Sequence, residues 1–93
     1  MIKIITVCGN GIGSSLMLAG VIKKLCKEWN IDINIKSSDL MTAKSESADF
    51  FITAKRLATE LKDKEVIVIR SYTNIQKISD DIKEQILNFT NKS

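Results

Sequence analysis

The sequence contains no histidine and no proline, only four glycines, two cysteines and one tryptophan. Each shortage excludes something. Without histidine, Ser-His-Asp and Cys-His nucleophilic machinery are excluded within this chain, as are the usual histidine-containing metal sites, so any nucleophile must be activated in another way. Pro-rich and low-complexity tracts are missing, which argues against disorder. Lys and Arg number 14 against 11 Asp and Glu, a formal net charge of +3. The basic residues are interspersed with acidic ones rather than gathered in a block, which argues against nucleic acid as a partner. Long hydrophobic runs are also missing. The apolar stretch from Met1 to Val7 is interrupted by Lys3, too short for a signal segment or a membrane span, so no direct membrane insertion is expected. Two cysteines without an export signal suggest a reducing, cytoplasmic compartment, where a thiol is chemical or buried rather than disulfide-bonded.

What is present suits one compact domain over residues 1–93 with a single core. Ile2, Ile4, Ile5 and Val7 form a β-branched run that stops at Cys8, where Gly9, Gly11 and Gly13 cluster. Leu18, Ile22, Leu25 and Trp29 then recur at helical spacing, predicting an amphipathic helix from Ser14 to Glu28. Ile31, Ile33 and Ile35 alternate with polar residues, as in a strand at a sheet edge. Asp39 to Ser47 reads as a polar loop with room for one helical turn, and Asp49 to Thr53 as a third strand. Ala54, Leu57, Ala58 and Leu61 predict a short helix. Val66 to Ile69 is a continuous β-branched run of the kind buried on both faces. Ile75, Ile78, Ile82, Ile86 and Phe89 mark a closing helix, with Thr73 and Gln76 as a capping box or Ser79 as a later start.

Alternation of strands with helices predicts an α/β fold. The expected form is an open, parallel, four-stranded sheet in the order 2-1-3-4 with helices on both faces, flavodoxin-like or phosphatase-like. In such sheets the ligand site lies beyond the carboxyl ends of the strands at the switch point, next to strand 1. Cys8 ends that strand.

The segment from Cys8 through Gly9, Asn10, Gly11, Ile12, Gly13, Ser14 and Ser15 joins a strand to a helix N-terminus. The first N–H groups of a helix have no intrahelical partner, and the helix dipole adds positive charge, so a phosphate dianion is well matched there. Glycines are expected to let successive N–H groups converge without Cβ clashes. The same field favours the thiolate, which is the nucleophilic form of cysteine. Other phosphate and redox motifs fail on spacing. Ser14 stands where a dinucleotide fingerprint needs its last glycine, no lysine follows the glycines as in a Walker loop, and Gly11 replaces the second cysteine of Cys-x-x-Cys. A Cys-x5-Arg phosphatase loop shares the architecture, but Ser14 occupies the arginine position, which removes the main charge stabiliser for hydrolysis.

The run from Val7 to Ser15 resembles the phosphocysteine loop of enzyme IIB components of the bacterial sugar phosphotransferase system. The similarity is nearest to the ascorbate-type branch, grouped with the galactitol and lactose types. The resemblance implies a phosphocarrier. Cys8 would accept a phosphoryl group from a phosphohistidine on a IIA protein and pass it to a sugar bound by a IIC membrane permease, which would recruit the chain to the inner face of the membrane. It implies Gly9 to Ser15 as the phosphate cradle, with no cofactor and no metal.

Two other readings of the residues stay open: a small cysteine-dependent phosphatase, and a non-catalytic regulatory module that binds an anion. Cys26 lies beside Leu25 and Trp29 on the inward stripe of the first helix and is expected in the core. A bond to Cys8 is not expected, given roughly 18 Å of intervening helix. Asp39, Thr42, Lys55, Arg56 and the Ser71 to Asn74 loop follow strand ends and are read as solvated loop residues.

Overall fold

The computed structural model describes residues 1–9 and 13–92. The elements are β1 (Ile2–Cys8), α1 (Gly13–Glu28), β2 (Ile33–Asp39), α2 (Leu40–Ala43), β3 (Phe50–Ala54), α3 (Lys55–Ala58), β4 (Val66–Ile69) and α4 (Ile75–Lys92). The strands form one sheet in the order β2-β1-β3-β4, and all three pairings are parallel, as the βα alternation predicts.

Alternation along β1 divides the core. Ile2 and Ile4 face one side, where Ile52, Ile67 and Ile69 join them against Leu18, Ile22 and Cys26 of α1 and Ile78, Ile82 and Ile86 of α4. Ile5 and Val7 face the other side with Phe51, Ala43 and Leu61. Helices therefore cover both faces, the long ones on one side and the one-turn α2 and α3 on the other. Each buried Ile or Leu contributes about 1.5–3 kcal/mol of transfer free energy, so the α1/α4 side carries most of the stability.

Helix ends follow from local chemistry. Asn30 adopts a left-handed φ of 58°. This residue type tolerates that region, and it lets the Ile31 N–H donate to the Cys26 carbonyl at 2.8 Å and close α1. At the start of α4 the Lys77 N–H donates to Asn74 Oδ1 at 3.0 Å. Asn74 is thus the N-cap, in place of the Thr73 and Gln76 capping box or a start at Ser79. Asn74 is itself held because the Ser71 hydroxyl oxygen accepts from the N–H groups of Thr73 and Asn74.

Other boundaries differ from the sequence reading. β2 begins at Ile33 rather than Ile31 and runs on through Ser37 and Ser38 to Asp39, because pairing with the whole of β1 extends it past the apolar alternation. α3 stops at Ala58, so Leu61 reaches the core from the turn beyond. β4 is not buried on both faces. Ile67 and Ile69 are covered by α4, but Val68 is 42% exposed. β4 is an edge strand, and the single turn of α3 is too short to cover its outer face.

Candidate functional site

β1 pairs with β2 as far as Cys8 opposite Asp39, but its pairing with β3 ends at Thr6 opposite Ile52. The two central strands therefore part at their carboxyl ends, at the point where the chain changes direction across the sheet. Cys8 is the last residue of β1 at that crevice.

Even-numbered residues of β1 face α1, which brings Thr6 and Cys8 toward its first turn. Cys8 is only 6% exposed. Its Sγ lies 3.4 Å from Ser15 Oγ, with the thiol as donor. Ser15 is fully buried. The Thr6 hydroxyl donates to the Ser15 carbonyl at 2.7 Å and ties the start of α1 to the strand. No acidic residue lies in the first turn of α1, so nothing there opposes the positive end of the helix.

Gly9, Gly13 and Ser14 are exposed around this pair. A Cβ on Gly9 would make ordinary contact with Leu57, one on Gly13 would meet nothing within 4 Å among the described residues, and neither glycine has a left-handed φ. Among the described residues, neither position is one where a Cβ would clash. Asn10, Gly11 and Ile12 lie outside the described residues.

Behind Cys8, two hydroxyls that the sequence does not mark as site residues converge on one atom, and one of them, on Tyr72, belongs to the Ser71 to Asn74 loop read as solvated, whereas its ring packs against the core. Thr53 Oγ1 and the Tyr72 hydroxyl each donate to the Val7 carbonyl at 2.8 Å. Thr53 ends an apolar strand with a polar residue, and Tyr72 is the one tyrosine of the chain. Those were the signals available. Asp39 is the register partner of Cys8, and its carboxylate caps α2 by accepting from the Thr42 N–H at 2.7 Å. That bond holds the Asp39 carboxyl below the usual carboxylate range. Arg70, at the end of β4, is forked onto Asp81 of α4 through Nε and a terminal nitrogen. Lys55 and Arg56 are exposed on α3. Among the described residues no group of three metal-ligating side chains occurs, and no helix is long and apolar enough to cross a membrane.

The family described as "PTS system, Lactose/Cellobiose specific IIB subunit" matches residues 3–88 of this chain. The chain is 32% identical over 75 residues to the ascorbate-specific PTS system EIIB components of Salmonella choleraesuis and Salmonella typhimurium, covering 75% of this chain and 74% of each relative. Its fold is similar to the lactose-specific IIB component domain of the phosphoenolpyruvate:carbohydrate phosphotransferase system from Streptococcus pneumoniae. The TM-score is 0.62 at 15% identity, covering 92% of this chain and 95% of that one. Components of this kind work together with IIA and IIC components. A strand ending in cysteine at the switch point of a 2-1-3-4 sheet, and a family match over nearly the whole chain, lead to one conclusion: the chain belongs to the lactose/cellobiose-type IIB family and is a phosphocarrier component of sugar transport.

Proposed function

We propose that Cys8 is the residue that carries the phosphoryl group. The observation that carries this reading is the 3.4 Å contact of the Cys8 sulfur with the fully buried Ser15 hydroxyl, within the first turn of α1. A thiol is the donor in that contact. Once the sulfur is ionised, the hydroxyl proton can turn toward it and stabilise the anion.

In the first step the Cys8 thiolate attacks the phosphorus of a phosphohistidine on the IIA component. The S–P bond forms, the N–P bond breaks, and the histidine nitrogen leaves with the electron pair and takes up a proton. In the second step a hydroxyl of the sugar held by the IIC component attacks the same phosphorus. The O–P bond forms, the S–P bond breaks, the hydroxyl proton goes to a base or to water, and the thiolate is restored. Gly9 to Ser15 form the cradle for the phosphoryl oxygens, with the free N–H groups of the first turn of α1 as donors.

Exposed apolar side chains support docking of both partners at this end of the chain. Leu16 and Met17 on α1, Met41 on α2 and Ile75 on α4 are all exposed, and each follows the carboxyl end of a strand. Met17 and Ile75 line one groove with Val21. The transfer takes place on the cytoplasmic side, where the IIA donor is found. Ascorbate-type transport is the reading for the sugar, resting on the two relatives of that name.

A phosphatase reading has less support. Ser14 stands where the loop arginine would be, and Arg70 is engaged by Asp81. Incubation with phosphorylated IIA protein, followed by intact mass, tests the proposal. Wild type should gain one phosphoryl group stably, and Cys8→Ser none. No gain on wild type, or equal gain on the variant, would contradict it.

A further inference from the structure

The Val7 carbonyl precedes the Cys8 amide and sits where β1 and β3 have stopped pairing. A buried carbonyl at such a place needs donors from elsewhere. It receives two, from Thr53 and Tyr72, both at 2.8 Å, which fills both lone pairs of the oxygen. Thr53 is fully buried. The Tyr72 hydroxyl oxygen in turn accepts from the Ala54 N–H at 3.2 Å. The same hydroxyl lies 3.2 Å from Thr53 Oγ1, so the two side chains touch each other as well as the Val7 carbonyl. The tyrosine ring packs against the core cluster shared by α1 and α4, so the hydroxyl is placed by the fold rather than by the loop.

A peptide plane is rigid. Fixing the Val7 oxygen therefore fixes the orientation of the Cys8 N–H, and with it the point where the chain leaves β1. On the far side of the loop the Thr6 hydroxyl holds the Ser15 carbonyl. Both ends of the segment from Cys8 to Ser15 are thus anchored by hydroxyl groups, on residues brought together from β1, β3 and the connection after β4.

We propose that Tyr72 and Thr53 are positioning residues for phosphoryl transfer: through the Val7 carbonyl they hold the Cys8 sulfur in line for attack. The inference rests on the reading of Cys8 as the phosphoryl carrier. It makes the chemical step, rather than binding of the donor, sensitive to two hydroxyls that touch no reacting atom. Small misplacements of a reacting group lower rates steeply, so loss of either hydroxyl should slow maximal transfer by about ten- to a hundredfold. The two losses should be less than additive, because both act on one oxygen.

The test is the rate of phosphorylation by phosphorylated IIA protein as a function of donor concentration, for wild type, Tyr72→Phe, Thr53→Val, Thr53→Ser and the Tyr72→Phe/Thr53→Val pair, alongside thermal melting of each. The expected result is a lowered maximal rate with little change in KM for Tyr72→Phe and Thr53→Val, near wild-type rate for Thr53→Ser, and less-than-additive loss in the pair. Tyr72→Phe keeps its packed ring, so it carries the test if Thr53→Val does not fold. Wild-type rates in Tyr72→Phe, or a raised KM at unchanged maximal rate, overturn the positioning role and leave the Cys8 assignment standing. Failure of wild type itself to become phosphorylated on Cys8 brings down both.

Discussion

Cys8 Sγ and Ser15 Oγ lie 3.4 Å apart, seven residues apart in sequence, across the opening between β1 and α1. The strand alternation and the helix start bring them together, and the Thr6 hydroxyl holds the Ser15 backbone in that place. Ser15→Ala should therefore remove this hydroxyl from the sulfur without releasing the helix. A hydrogen bond to a charged group is worth about 1.5–3 kcal/mol. Phosphorylation of Cys8 should slow by roughly ten- to a hundredfold, measured at saturating phosphorylated donor, while the melting temperature changes little. An unchanged rate would remove Ser15 from the site.

Gly13 tests whether the mouth of α1 serves a ligand. A methyl group there meets nothing within 4 Å among the described residues, and Gly13 does not need a left-handed φ. Gly13→Ala should leave thermal stability unchanged or raise it by up to about 1 kcal/mol. If the phosphoryl oxygens approach the backbone at this point, the same variant transfers more slowly. Opposite signs for stability and rate, read by melting and by intact mass over time, are the expected outcome.

The rim residues give a different signature. Met17 is 59% exposed and Ile75 is 51% exposed, and exposed positions away from special features change stability by about 0.5 kcal/mol or less. Met17→Asp should raise KM for the phosphorylated IIA donor several-fold with little effect on the maximal rate or on melting. This is the reverse of the pattern expected at Tyr72. Concentration dependence of the phosphorylation rate separates the two.

Cys26 is fully buried against α1 and α4 neighbours, and burial pushes its thiol up from an ordinary 9.0 to about 11. The folded state holds the proton more tightly than the unfolded chain does. The resulting stabilisation is fully present below about pH 9 and is lost as pH rises toward 11. Replacing Cys26 by Ala should flatten the alkaline part of the stability profile, followed by denaturant melts from pH 8 to pH 11. In Cys8→Ser, the remaining thiol should react with iodoacetamide only on unfolding.

Much of this was legible in the chain, and the reasons are local. Ile2 to Val7, the stripe Leu18, Ile22 and Leu25, and the alternation of strands with helices predict β1, α1 and the 2-1-3-4 order, because periodicity reports which face of an element is buried. The start of α1 was missed by one residue, Gly13 for Ser14. Periodicity does not report how far a neighbouring helix extends. Val66 to Ile69 therefore looked covered on both faces, although α3 ends after one turn and leaves Val68 exposed. Nor does it report long-range polar contacts. Thr53 and Tyr72 reach Val7 across 46 and 65 residues of sequence, and no local pattern links them. The Asn74 cap was in reach. The Ser71 turn that presents it is what displaced the capping box expected at Thr73.

Phosphorus-31 nuclear magnetic resonance of the protein after reaction with phosphorylated IIA component tests the central claim most directly. A covalent phosphoryl group on sulfur should give a thiophosphate resonance in wild type that is missing from Cys8→Ser and disappears when IIC component and sugar are added. A resonance of a phosphate ester on Ser14 or Ser15, or a wild-type spectrum with no protein-bound phosphorus, would contradict it.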